Sequence, residues 1–181
     1  MFKVTLDNVD LKRTIRPIYA DTQATPMATY LDPKWDRSVD ILPGMVVTRT
    51  SGDTVTLFGT GTSATKHTPL GLSALFVAPK MGVDEVRSSG SNLFATWVGD
   101  NQSVFEILAP AYATTGVTWK TPDETTGPVV LRVTLPGHAD GPGKLTNEAA
   151  TASKVSDKIA GRLIEVAGNK IIVTLDQTAV A

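Results

Sequence analysis

Apolar and polar residues alternate with a period of two along many short stretches of this chain, the spacing that lines one face of a strand. Met45-Val46-Val47-Thr48-Arg49-Thr50 begins a strand, Ser51-Gly52-Asp53 turns the chain, and the alternating Thr54-Val55-Thr56-Leu57-Phe58 returns as its partner. A turn between two β-rich runs predicts a hairpin, with Val55 and Leu57 on one face and Thr54, Thr56 and Phe58 on the other. Ahead of it, Val39-Asp40-Ile41-Leu42 ends at the turn dipeptide Pro43-Gly44. Behind it, residues 70–79 are nearly unbroken apolar sequence, short enough for one buried strand.

Residues 91–98 and 103–108 flank Gly99-Asp100-Asn101-Gln102, which predicts a second hairpin. It would set Trp97 and Phe105 in opposing strands, as core or as interface. Strands are also expected over 115–120 and 129–135, followed by a Gly- and Pro-rich loop over 136–146. Residues 146–157 are richest in helix formers, so a short helix of about three turns is expected there. Residues 162–166 and 170–175, around Ala167-Gly168-Asn169, make the clearest hairpin. The tripeptide Val-Thr-Leu occurs at 4–6, 55–57, 133–135 and 173–175, at unequal intervals, which marks a strand idiom rather than a repeat architecture.

Residues 1–35 hold no sustained period, and Pro17, Pro26 and Pro33 each bias the preceding residue towards extended geometry. The expectation is an extended N-terminal arm over 1–35 and a β-rich domain over 36–181, divisible into a core of 36–112 and a lobe or barrel completion of 113–181. The arm is rich in large apolar side chains, which a free linker lacks. Its Val-Thr-Leu copy can serve as a strand added to another protein's sheet edge or as an ordinary strand of this domain. Candidate partner contacts in the arm are Phe2, Lys3, Val4, Leu6, Lys12, Arg13, Arg16, Tyr30 and Trp35, with the cations placed to meet acidic groups. Trp119 and Lys120 form a second candidate interface, since Trp is enriched among binding anchors; the indoles of Trp35 and Trp119 could equally clasp their own domain.

Composition narrows the function. Of 181 residues, 17 are Lys or Arg and 18 are Asp or Glu, with no run of five like charges, which argues against nucleic acid as the partner. Cysteine is absent, removing disulfides, thiolate metal sites and cysteine nucleophiles. No apolar stretch reaches the roughly 18–20 residues of a membrane span, and charges interrupt any signal-like N-terminus, so neither anchoring nor export is expected.

Candidate chemistry is sparse. His67 and His138 lie in loop-like sequence without a second His or Glu three or four residues on, so no metal is expected. Ser73 lacks the surroundings of a nucleophile elbow, and the Gly59 to Lys66 stretch lacks the spacing of a phosphate loop. Asp84-Glu85 and Asp123-Glu124 are adjacent pairs, which do not converge across a cleft as acid–base pairs must. Asn101-Gln102-Ser103 matches a glycosylation sequon and reads as a turn. No cofactor and no enzymatic activity are expected.

The segment Leu42-Pro43-Gly44-Met45-Val46-Val47, then Thr54-Val55-Thr56-Leu57, then Pro69-Leu70-Gly71-Leu72-Ser73-Ala74-Leu75-Phe76-Val77-Ala78-Pro79, resembles the head decoration proteins of tailed bacteriophages. The likeness continues through Gly82-Val83-Asp84-Glu85-Val86-Arg87, Asn92-Leu93-Phe94-Ala95-Thr96-Trp97-Val98-Gly99 and Phe105-Glu106-Ile107-Leu108-Ala109-Pro110-Ala111-Tyr112. It resumes more weakly at Gly141-Pro142-Gly143-Lys144-Leu145-Thr146 and Ala160-Gly161-Arg162-Leu163-Ile164-Glu165-Val166. The resemblance implies a mainly β, small barrel-like domain of the β-tulip type with at most one or two short helices. It implies a non-enzymatic cement protein, made in the host cytoplasm, that binds the major capsid protein on the virion exterior, commonly as a trimer. The length beyond residue 112 and the long arm depart from the shortest members of that group. A head fibre or tail-associated module is the alternative role, followed by a carbohydrate- or small-ligand-binding module.

Overall fold

The computed structural model describes residues 13–19, 25–36, 38–60, 68–77, 93–99 and 103–175. Among them eleven strands and no helix are formed: β1 (Ile15–Tyr19), β2 (Thr25–Leu31), β3 (Val46–Ser51), β4 (Thr54–Leu57), β5 (Pro69–Ser73), β6 (Leu93–Val98), β7 (Val104–Leu108), β8 (Val129–Thr134), β9 (Leu145–Thr146), β10 (Val155–Ala167) and β11 (Lys170–Leu175). They make a closed barrel of order β2-β4-β3-β5-β6 and a six-stranded sheet of order β1-β7-β11-β10-β8-β9. The mainly β, barrel-like class expected from the sequence is the class observed.

The two hairpins with the shortest turns form as the local sequence dictates. β3 and β4 pair antiparallel around Gly52, and β10 and β11 pair around Gly168-Asn169 from Ala167 opposite Lys170 to Gly161 opposite Leu175. Gly52 and Gly168 take positive φ, which a tight reversal requires and a Cβ penalises.

The expected hairpin of 91–98 with 103–108 does not exist, although both strands do. β6 has its two edges occupied by β2 and β5 in the barrel, and β7 lies between β1 and β11 in the other sheet. The chain therefore crosses between sheets where turn chemistry suggested a reversal. Trp97 and Phe105 still meet, with ring centroids 5.9 Å apart and planes at 57°, but across the seam between sheets.

Three further expectations are corrected. The 70–79 run ends its ladder at Ser73, whose Oγ donates to Leu75 O and accepts from Leu75 N, while Val77 re-enters through a bridge to Ile41. Residues 115–120 are not a strand: the Asp140 carboxylate takes the backbone N–H groups of Thr114 and Thr115, donors that a neighbouring strand would otherwise use. The helix expected over 146–157 is absent. About three turns are marginal without tertiary support, and the segment is claimed instead by pairing of Thr146 with Arg132, a Thr151–Val155 bridge and the start of β10.

The expected arm divides. Residues 1–12 lie outside the described residues, as does the first Val-Thr-Leu copy. β1 and β2 are built into the two sheets, β1 against β7 and β2 against both β6 and β4. Trp35 is 7% exposed and belongs to the core with Leu31. Pro17 sits opposite Phe105 on the outermost strand of the six-stranded sheet, where a missing N–H is tolerated and deters further strand pairing.

One continuous core unites the sheets. Phe58, Leu57, Val47 and Leu72 from the barrel share it with Phe105, Ile107, Leu131 and Val173 from the other sheet, all at most 1% exposed. The loop before β9 ties the two together, because Val46 N donates to Gly143 O at 2.7 Å while Gly143 N donates to Thr134 O at 3.0 Å.

Candidate functional site

Among the described residues, titratable groups gather in three local networks. Glu106, 8% exposed on β7, accepts from Lys170 Nζ at 2.6 Å and Arg16 Nη2 at 3.1 Å. The Lys170 hydrogen bond, joined by the charge of Arg16, holds its carboxyl below the usual glutamate range against the opposing effect of burial. Its two cations come from neighbouring strands on either side, so the group fastens β1 and β11 to β7.

His138, 8% exposed, is the centre of the second network. Its Nδ1 accepts from Asp140 N at 3.1 Å, which assigns the ring hydrogen to Nε2, and that atom lies 2.8 Å from Glu148 Oε2. Asp140 in turn collects Thr114 N, Thr115 N and Thr115 Oγ1. These bonds and the charge of Lys144 hold its carboxyl below the aspartate range, although burial, the largest influence, pushes the other way. The network staples the 136–148 loop to the segment that follows Tyr112.

The third is Asp123, of the adjacent pair Asp123-Glu124. Its Oδ1 accepts from Thr125 and Thr126, backbone and hydroxyl alike, lowering its pKa to about 2. It closes an exposed turn. Each network thus fixes local structure, and the groups in it are spent on that. Asp84-Glu85, His67 and Asn101-Gln102 lie outside the described residues.

A different kind of site appears on the β2–β6 ribbon. Directly opposed residues share a face, and the register places Pro26 opposite Trp97, Ala28 opposite Ala95 and Tyr30 opposite Leu93. All six are apolar, and Tyr30 and Leu93 are 50% and 53% exposed. The other face of the same ribbon is buried yet carries Thr29 and Thr96, both 0% exposed. Their hydroxyls satisfy each other: Thr29 Oγ1 donates to Phe94 O and lies 3.0 Å from Thr96 Oγ1. The buried face is therefore mixed, Phe94 and Met27 lying opposite Thr29 and Thr96, while the outward face is wholly apolar where a solvated sheet face ordinarily carries polar residues. The apolar face starts at Trp97, against Phe105 in the seam, and emerges into solvent at Tyr30 and Leu93.

Of the contacts expected from the sequence, Tyr30 lies in this stripe. Arg13 is exposed just ahead of β1, and Arg16 faces outward on β1, bound to Glu106. Phe2, Lys3, Val4, Leu6 and Lys12 lie outside the described residues. Trp35 is buried in the core. Trp119 is half-buried, edge-on to Tyr112 with centroids 5.3 Å apart and with Nε1 donating to Ala113 O at 2.7 Å, while Lys120 beside it is exposed. The indole of Trp119 clasps its own fold. Leu93, Ile159 and Ile164 were missed as exposed apolar residues. Alternation alone could have paired Leu93 with Ala95 and Trp97 on one face, but not shown that this face is open.

No curated protein and no solved structure matches the chain. A family model described as phage cement protein matches residues 1–181, so the chain belongs to the phage cement proteins, structural components that stabilise the capsid.

Proposed function

We propose that the protein binds the outer surface of the assembled phage head and bridges neighbouring subunits of the major capsid protein without catalysing a reaction. It acts as a homo-oligomer on the shell, of which the trimer is the form implied by resemblance to head decoration proteins. The observation that carries this is the apolar outward face of the ribbon β2–β6. A face that spends threonine on the interior and presents Tyr30 and Leu93 to solvent loses nothing in the fold by being covered, and gains roughly 25 cal/mol for each Å² of apolar area removed from water. Residues 1–12, with Phe2, Lys3, Val4, Leu6 and Lys12, serve as a second attachment to the shell.

The test is Leu93→Asp, measured by co-sedimentation with undecorated heads and by melting of the free protein. The expected result is occupancy reduced at least about tenfold, as for a central apolar anchor, with the melting temperature within about 3 °C of the parent because Leu93 is exposed. Undiminished occupancy would remove the stripe from the contact.

A further inference from the structure

The two halves of the molecule differ in charge. The five barrel strands carry one charged residue, Arg49 on β3, whereas the strands of the six-stranded sheet carry eight, of both signs. β2 and β6, which form the apolar stripe, carry none. Among the described residues, charges come closest to the stripe at its Tyr30 end. There Asp32 follows Tyr30 by two residues, Asp53 O accepts from Tyr30 N at 2.8 Å, and Arg49 stands one strand beyond, opposite Val55. A rim of mixed sign at the edge of an uncharged centre is the anatomy of an interface. The sheet is laid out the other way. Arg16 and Asp157 stand mostly in water, and Arg162 and Glu165 are exposed on β10. The exposed Ile159 and Ile164 on that strand are single residues set among these charges, Lys158 just before the one and Glu165 just after the other. Scattered apolar residues of that kind are ordinary on a solvated surface.

We propose that the protein sits on the shell barrel first, with β2–β6 seated on an uncharged apolar patch of a shell subunit and the charged face of the six-stranded sheet left in solvent. This rests on the capsid-binding function and adds to it the partner's chemistry and the direction in which the molecule stands. Charge complementarity selects the occupant. A carboxylate or an ammonium group of the shell pressed against β2–β6 would lose its water and meet no charge of opposite sign on either strand, which strongly disfavours the contact. An apolar patch loses only water that hydrates it poorly. The sheet face is the costlier one to cover, because its charges of both signs would have to leave water. Left exposed, they give the decorated particle a soluble exterior.

The chain has no cysteine, so single cysteines can report which face is covered. Ala28→Cys and Leu93→Cys place a thiol on the stripe, and Asp157→Cys and Glu165→Cys place one on the sheet, all at exposed positions. Each variant is reacted with a maleimide, free and bound to undecorated heads, and labelling is read on its own band after denaturation. The expected result is labelling slowed at least about tenfold by binding at 28 and 93, as for the dry centre of an interface, and unchanged at 157 and 165. Ala28→Cys adds only a sulfur at an exposed site, so it keeps the stripe readable if Leu93→Cys melts early or binds weakly. Ala28→Lys and Ala28→Asp put either sign at the middle of the stripe. Both should weaken head binding by about tenfold or more, and alike within about threefold, because an uncharged patch holds no partner for either. Protection of 157 or 165, or free labelling of 28 on bound protein, would overturn the orientation. Binding as tight as the parent's by either charged variant, or about tenfold or more between the two, would overturn the uncharged partner. Those results leave the capsid contact itself standing, whereas failure of the parent to bind heads would overturn the capsid reading as well.

Discussion

Gly143→Ala should sever the joint between barrel and sheet. The residue has φ of +82°, and an added Cβ would lie 2.4 Å from Leu57 Cδ1 and 2.8 Å from Leu57 Cγ. Left-handed backbone costs a residue other than glycine about 1 kcal/mol or more. The clash cannot be relieved cheaply from the Leu57 side, because that side chain is 1% exposed inside the shared core, and overpacking of this kind costs about 1–3 kcal/mol. Nor can the loop retreat freely. Gly143 O accepts from Val46 N and Gly143 N donates to Thr134 O, and each such bond has a net worth of about 1 kcal/mol. With the loop held in place, the backbone and steric parts together come to roughly 2–4 kcal/mol, which at about 2–4 °C per kcal/mol for a chain of this size lowers the melting temperature by about 10 °C. Thermal and urea unfolding measure it. Leu57→Ala supplies the decisive comparison. In that background the steric part vanishes and only the backbone part remains, so the two substitutions should show a coupling energy of about 1–3 kcal/mol. A melting temperature within about 2 °C of the parent, or the same cost in both backgrounds, would refute the account of the joint.

Two other outcomes are expected of the free protein. Because Glu106 titrates below its usual range in the fold, its contribution is present above the ordinary glutamate pKa of 4.5 and disappears as pH falls through the depressed value. The stability gap between the parent and Glu106→Gln should thus be widest near neutrality and close with acidification below about pH 4; a gap that is constant with pH would contradict the Lys170–Glu106–Arg16 assignment. Trp35→Ala should cost about 3–5 kcal/mol in urea unfolding, as for a buried aromatic in a packed core, whereas a change under about 1 kcal/mol would mean that the indole does not pack there.

The same residues explain why removal of 1–35, attractive if the whole stretch were an external arm, is a poor way to test shell attachment. It would take away β1 and β2, opening the closed barrel at β6 and β4 and deleting Leu31 and Trp35 from the core. Removal of residues 1–12 leaves every described strand intact. The physical difference is that Pro17 and Pro26 look like strand breakers in sequence but occupy edge positions, where the missing N–H costs no ladder bond.

What the sequence determined by itself is the class and the local reversals. Period-two alternation marked the strands, Gly52 and Gly168 placed two hairpins, and the pattern running from Leu42 to Tyr112 pointed to the phage family that the whole chain joins. Those signals are local, depending on a few neighbouring φ/ψ values and on which side chains fit them. Tertiary structure decided which strands pair and which faces stay open. β6 and β7, with only residues 99–103 between them in sequence, parted because the edges of each were taken by strands distant in the chain. Glu106 found its cations 90 and 64 residues away, on strands that flank it only once the six-stranded sheet is assembled. The ribbon β2–β6 turned Thr29 and Thr96 inward and Tyr30 and Leu93 outward because the barrel could bond its hydroxyls to each other and to Phe94 O, a satisfaction that exists only after closure. Alternation shows that a strand has two faces; only the packing around it shows which of them meets water.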